Sequence, residues 1–247
     1  MKVKIYFNFP IILLKDFLSD TKKVMDEIME YALFNHTNTL RLGSEEDKIE
    51  SAFRFFGIKS GDKKLILGKK LVNSIGFKTP KVGINRDICF DFYENHKTEF
   101  EKVCLLAFLA IKSVLGDKAY VKLTNRFWLS RMAGNAKTCG SDELPEWLKK
   151  YDNEYQTKKI KIELRNNWML KTYSRYTRGF YVSFILDIDT LIFEAEKRRK
   201  SIKEKNYKKL ENEALKKALL KLNNIGEANR TLNETKPVPN WLNFQNR

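Results

Sequence analysis

The run TEFEKVCLLAFLAIKSVLG, residues 98–116, constrains the fold more than any other stretch. Thr98 and Glu101 stand at capping-box spacing, and Gly116 supplies a stop. Between them the side chains are apolar on nearly every side. A helix without a polar face has nowhere to sit except inside. The pattern therefore predicts a helix at the centre of the core, with the other elements arranged around it. A chain of 247 residues, 43% of them hydrophobic, has apolar material for one large domain or two small ones. No apolar run approaches the ~20 residues that a membrane span needs, so no membrane partner is expected.

Upstream of that helix, MKVKIYFNFPIILLKDFLS has the look of a weak secretory signal. Asn8 and Pro10 interrupt its apolar run, however, and Lys15 and Asp16 follow at once. A strand over 3–9 leading into a helix over 15–34 fits better. A second helix starts after Ser44, an N-cap, with Asp47 in its first turn, and stops at Gly57. Residues 60–97 carry several glycines, Pro80 and short apolar pieces such as LIL and ICFDFY, and these predict short strands and turns. Cys89, Cys104 and Cys139 form no CxxC pair, so neither a disulfide framework nor a cysteine metal site is expected. A reducing cytoplasm is the compartment that fits.

Downstream, KAYVKL predicts a short strand, and TNRFWLSRMAG a short helix between Thr124 as cap and Gly134 as stop. Residues 144–151 read as a helical turn beginning near Pro145, and 153–167 as a basic helix. On a helical wheel Lys158, Lys161 and Arg165 share one face, with Ile160 and Leu164 on another. Residues 169–176 and 180–186 then read as two strands of a hairpin around 177–179. From 190 to 223 the pattern predicts one or two charged helices anchored by Leu191, Ile202, Leu210, Leu215, Leu219 and Leu222. A tail follows in which Trp241, Leu242 and Phe244 are docking candidates.

The formal charge of +16 attracts polyanions. The excess is uneven. Over 153–179 seven basic residues face only Glu154 and Glu163, and the same window holds Tyr155, Trp168, Tyr173 and Tyr176. Cations neutralise phosphates, and aromatic rings stack on bases or buttress a ribbon.

The order helix, short strand, helix, helix, hairpin over about 90 residues resembles a winged helix-turn-helix domain. LTNRFWLSRMAG is similar to the second helix of that family, TKKIKIELRNNWML to its recognition helix, and KTYSRYTRGFYVSF to its wing. Between Gly134 and Asn153 the chain departs from the family's short turn, either through an insertion with its own helix or through different helix boundaries. The resemblance implies an α+β, mostly helical fold in three parts: an N-terminal mixed α/β region of unknown role at 1–97, a winged-helix-like domain at 98–189, and a charged helical extension and tail at 190–247. It also implies a non-enzymatic protein that binds double-stranded DNA, similar to phage or plasmid replication initiators and repressors, with no cofactor. Lys158, Lys159, Lys161 and Arg165 would meet phosphates and base edges. Lys171, Tyr173, Arg175, Tyr176 and Arg178 would meet backbone from the wing, with Arg126 and Arg131 as further contacts. A homodimer through the C-terminal helices is compatible with the pattern.

Two other readings stand beside it. One is an interaction protein that sets the basic face against an acidic protein partner or a host nucleoprotein complex. The other is a metal-dependent nucleotidyl or phosphoryl enzyme built on Asp187 and Asp189 in FILDIDTLIF. The simpler expectation for these carboxylates is a helix cap. His36 and His96 have no partner at metal-ligand spacing, and there is no phosphate-binding glycine loop.

Overall fold

The computed structural model describes residues 4–41, 43–59, 65–76, 78–175 and 179–234, with side chains described as far as 221. The fold is α+β and mostly helical, with two small sheets among the described residues.

The first sheet pairs β1 (Tyr6–Pro10) antiparallel with β2 (Lys81–Asn85), Tyr6 lying opposite Asn85 and Pro10 opposite Lys81. Alternation along β1 sends Phe7 and Phe9 into the core and leaves Tyr6 and Asn8 outside. Between the strands come a 3-10 turn at Ile11–Asp16, α1 (Thr21–Thr37), α2 (Glu45–Phe56) and α3 (Ile66–Ser74). The helix expected at 15–34 begins only at Thr21, because the Asp20 carboxylate accepts the Lys23 N–H at 3.0 Å and so sets the N-terminus. Helix α2 matches the reading, with a full Ser44–Asp47 capping box and Gly57 in the left-handed conformation.

The strands and turns expected across 60–97 are a correction. Apart from β2, the described part of this stretch is largely helical: LIL leads into α3, and ICFDFY lies within α4 (Arg86–Glu94). The Asn85 side chain caps α4 by accepting the Asp87 N–H at 2.9 Å, and Cys89 and Phe92, three residues apart, are its buried positions. Helix α3 comes so close to α1 that a Cβ at Gly68 would stand 2.3 Å from the Glu30 carbonyl oxygen. The Glu30 carboxylate accepts the Gly68 N–H.

Helix α5 (Glu99–Leu115) is the core helix that the sequence predicts, capped by the Thr98–Glu101 box, with Val103, Leu105, Leu106 and Leu109 fully buried. It packs against β2 and also against two helices downstream. Residues Met1–Ile192 form one compact unit.

The second sheet contains β3 (Val121–Leu123), β4 (Lys171–Tyr173) and β5 (Phe180–Ser183) in the order β3-β5-β4, all antiparallel. Between β3 and β4 lie α6 (Asn125–Met132), α7 (Glu146–Lys149) and α8 (Glu154–Asn167). The interval after Gly134 carries α7, while α6 and α8 keep the boundaries read from the sequence. The hairpin strands are shorter than the expected 169–176 and 180–186. Tyr176 and Arg178 lie outside the described residues.

The last element, α9 (Ile188–Glu234), is a single helix of 47 residues. Most of it belongs to the second compact unit. Of its expected apolar anchors, Leu191 is buried, whereas Ile202, Leu210, Leu215 and Leu219 are exposed. The Leu222 side chain and the tail residues Trp241, Leu242 and Phe244 lie outside the described part.

Candidate nucleic-acid interface

Helix α8 is positioned by its inner face. Thr157, Ile160 and Leu164 are buried at spacings of three and four, and the helix packs on α5. Asn153 caps it by accepting the Gln156 N–H at 2.9 Å. The opposite stripe is Tyr155, Lys158, Ile162 and Arg165, flanked by Lys159 and Asn166, and all six are exposed. The Lys159 ammonium sits over the Phe100 ring, 4.7 Å from its centre.

Lys161 does not share that stripe. It turns toward α6 and the β4–β5 hairpin. Its Nζ donates to Asn125 Oδ1 at 2.8 Å and lies 3.7 Å from the centre of the Phe180 ring and 5.6 Å from that of Trp128. Burial pushes its pKa down to about 8, against a smaller opposing pull from Glu154. Trp128 is fully buried, meets Phe180 edge-on at 5.7 Å, and donates its indole N–H to the Ala107 carbonyl at 3.0 Å. These contacts lock α5, α6, α8 and the hairpin together. They frame a cleft of about 500 Å³ lined by residues that include Asn125, Asp152, Lys158, Lys161, Ser174 and Phe180.

The arginines of α6 are held differently. Arg126 Nη1 donates to Asp152 Oδ2 at 2.9 Å, and the Ser141 hydroxyl donates to the same oxygen. This ties the α7 segment to α6. Arg131 is 9% exposed and packs over the Phe127 ring at 5.0 Å, with Nε and Nη1 making no hydrogen bond among the described residues. Burial lowers its pKa. Neither arginine lies on the open stripe of α8.

On the hairpin, Lys171 and Arg175 are exposed and Tyr173 is half-buried. The Ser174 hydroxyl donates to the Gly179 carbonyl at 3.1 Å across the turn. Gly179 has φ +101°, and a Cβ there would stand 2.4 Å from the Leu123 carbonyl oxygen. Only glycine lets the hairpin return so close to β3.

The other candidates are occupied structurally. Asp187 accepts both the Thr190 N–H and the Thr190 hydroxyl at 2.8 Å, and these bonds hold its carboxyl below the usual range at the start of α9. No group of His, Cys, Asp and Glu among the described residues could hold a metal ion. His36 stacks on Phe55 at 4.5 Å, and burial lowers its pKa. All three cysteines are free, and burial pushes the Cys89 and Cys104 thiols up to about 12. No helix among the described residues is long and apolar enough to cross a membrane.

Ile162 and Asn166 were missed as surface candidates, although their spacing with Lys158 and Arg165 follows the helical period. Asn125 and Phe180 were missed as partners of Lys161, and no local pattern joins residues so distant in sequence. No family model matches the chain, and no curated protein or solved structure matches it.

Proposed function

We propose that residues 98–189 are a winged helix-turn-helix module that binds double-stranded DNA. Helix α8 enters the major groove, and the β4–β5 hairpin lies against the backbone. One observation carries this reading: the strand before α6 pairs with the second strand of the hairpin after α8, giving the order β3-β5-β4. That connection fixes a basic hairpin beside a basic helix, so one duplex meets both.

On α8, Lys158 and Lys159 neutralise phosphates, while Arg165 and Asn166 have the fork and amide that read guanine and adenine edges. Ile162 offers an apolar contact for a thymine methyl. Lys171 and Arg175 hold the flanking phosphates. Arg126 and Arg131 support the module from within.

Fluorescence anisotropy with duplex DNA, single-stranded DNA and RNA across a salt series tests the reading. Duplex affinity should fall linearly in log–log form with salt, with a slope reduced by about one in Lys158→Ala. Arg165→Ala should in addition relax sequence preference. Absence of duplex binding at low salt would overturn the proposal and leave the basic face to an acidic protein partner.

A further inference from the structure

A second groove, distinct from the α8 cleft, opens over the outer face of the β1–β2 sheet. It has a volume of about 790 Å³, within the range of ligand sites. Its floor is apolar, with Leu105 and Phe108 from α5 and Ile88 from α4. Tyr6 stands at its side, 45% exposed, and Asn8 beside it presents an amide with both a donor and an acceptor. Lys4, Lys81 and Lys112 ring the groove, whereas Asp117 is the one carboxylate in its lining among the described residues.

Gly83 keeps this surface low. It pairs with Asn8 across the sheet, and a Cβ there would stand 2.6 Å from Asn8 Oδ1. Any other residue would push the amide aside. The groove is also joined to the base of the β4–β5 hairpin. Phe108, part of its floor, packs on Trp168 at 4.8 Å and on Phe184 at 5.0 Å, and the Lys112 ammonium lies over Phe184 at 5.5 Å.

We propose that this groove binds a segment of single-stranded nucleic acid, with a base against Tyr6 and the apolar floor and its phosphates between the lysines. An exposed ring, an apolar floor and three lysines against one carboxylate match the two halves of a nucleotide, the flat base and the charged backbone. A purely acidic peptide would use the lysines but not the floor. An apolar peptide would leave the positive excess of the lining without a counter-charge. The inference does not depend on the duplex reading of α8.

The test compares binding of fluorescein-labelled mixed-sequence single-stranded DNA and of duplex DNA by the full chain. The proteins are wild type, Tyr6→Ala, Tyr6→Phe, Lys112→Gln and Lys158→Ala. Removing one stacking ring should weaken single-strand binding by about tenfold. Tyr6→Phe should restore it, since the ring rather than the hydroxyl is the contact, and Lys112→Gln should flatten its salt dependence. Duplex affinity should be unchanged by these three substitutions and weakened by Lys158→Ala. Tyr6 is exposed, and the Tyr6→Phe protein controls for folding. Single-strand binding that is absent from wild type, or equal in wild type and Tyr6→Ala, overturns the inference whatever happens to the duplex. Equal loss of both ligands in Tyr6→Ala overturns it as well, because the groove would then be part of one undivided surface.

Discussion

The ammonium of Lys161 lies 3.7 Å from the centre of the Phe180 ring, on a bearing set by its hydrogen bond to Asn125. One side chain thus ties α8 to the start of α6 and to the first residue of β5. The relative placement of helix and hairpin is built into the packed interior of the module.

A cation in that position should give a stability signature in alkali. The pKa of Lys161 is about 8 in the folded chain and ~10.4 for an unperturbed lysine. Between those values the unfolded chain binds the extra proton. Stability should therefore rise with pH over that window as the buried charge is relieved. Lys161→Met should lose this increment, so its urea midpoint should gain less between pH 7.5 and pH 10 than that of wild type. Parallel pH curves for the two proteins would mean that Lys161 remains solvated.

Arg131 makes the opposite case for a buried cation. Its Nε and Nη1 are buried with no hydrogen-bond partner among the described residues, and a buried unsatisfied donor costs ~1–3 kcal/mol. Arg131→Met keeps an unbranched stem over Phe127 and removes the unsatisfied donors. The variant should unfold at a higher temperature by scanning calorimetry. Arg131→Ala should not share the gain, because it also removes the packing of the stem. A Met variant less stable than wild type would show that the guanidinium is satisfied in solution.

How much was legible follows from where the signals lie. The N-cap at Ser44, the capping box at Thr98, the apolar helix α5 and the glycine stops at Gly57 and Gly134 are local, and the sequence predicts each of them. Residues 66–74 and 86–94 were misread because short amphipathic helices with few buried positions look like short strands. What commits α4 is a cap at Asn85 and packing of Cys89 and Phe92 against distant residues. The basic window on α8 was visible, but the partition of its lysines was not. A helical wheel groups Lys158 with Lys161, and only the tertiary neighbours Asn125 and Phe180 draw Lys161 away.

Asp187 and Asp189 allow a direct decision between cap and metal site. Asp187 already receives two hydrogen bonds from Thr190, which depress its pKa. Its contribution is therefore present above the unfolded carboxylate pKa and is lost as pH falls through the lower folded value. Asp187→Ala should lower the melting temperature at pH 7, with the difference shrinking in acid. Magnesium should leave both melting temperatures unchanged. A rise on adding magnesium to wild type but not to Asp187→Asn would instead support a metal-bound carboxylate.

The junction between α8 and the hairpin stores strain that a single substitution should release. Met169 has φ +58° and is 73% exposed, while the next residue, Leu170, is fully buried and donates its N–H to the Leu164 carbonyl at 3.1 Å. A left-handed conformation costs a non-glycine residue ~1–2 kcal/mol. It is kept here because the chain must reverse within one residue to bring Leu170 under α8 and to start β4. Met169→Gly removes the strain and gives up little buried surface, although the added freedom of the unfolded chain offsets part of the gain. A net stabilisation of ~0.5–1 kcal/mol is expected in urea unfolding. Met169→Val should destabilise, since a β-branched side chain tolerates positive φ least. If glycine and valine gave the same stability, the left-handed turn would not persist in solution, and the hairpin would leave α8 by another path.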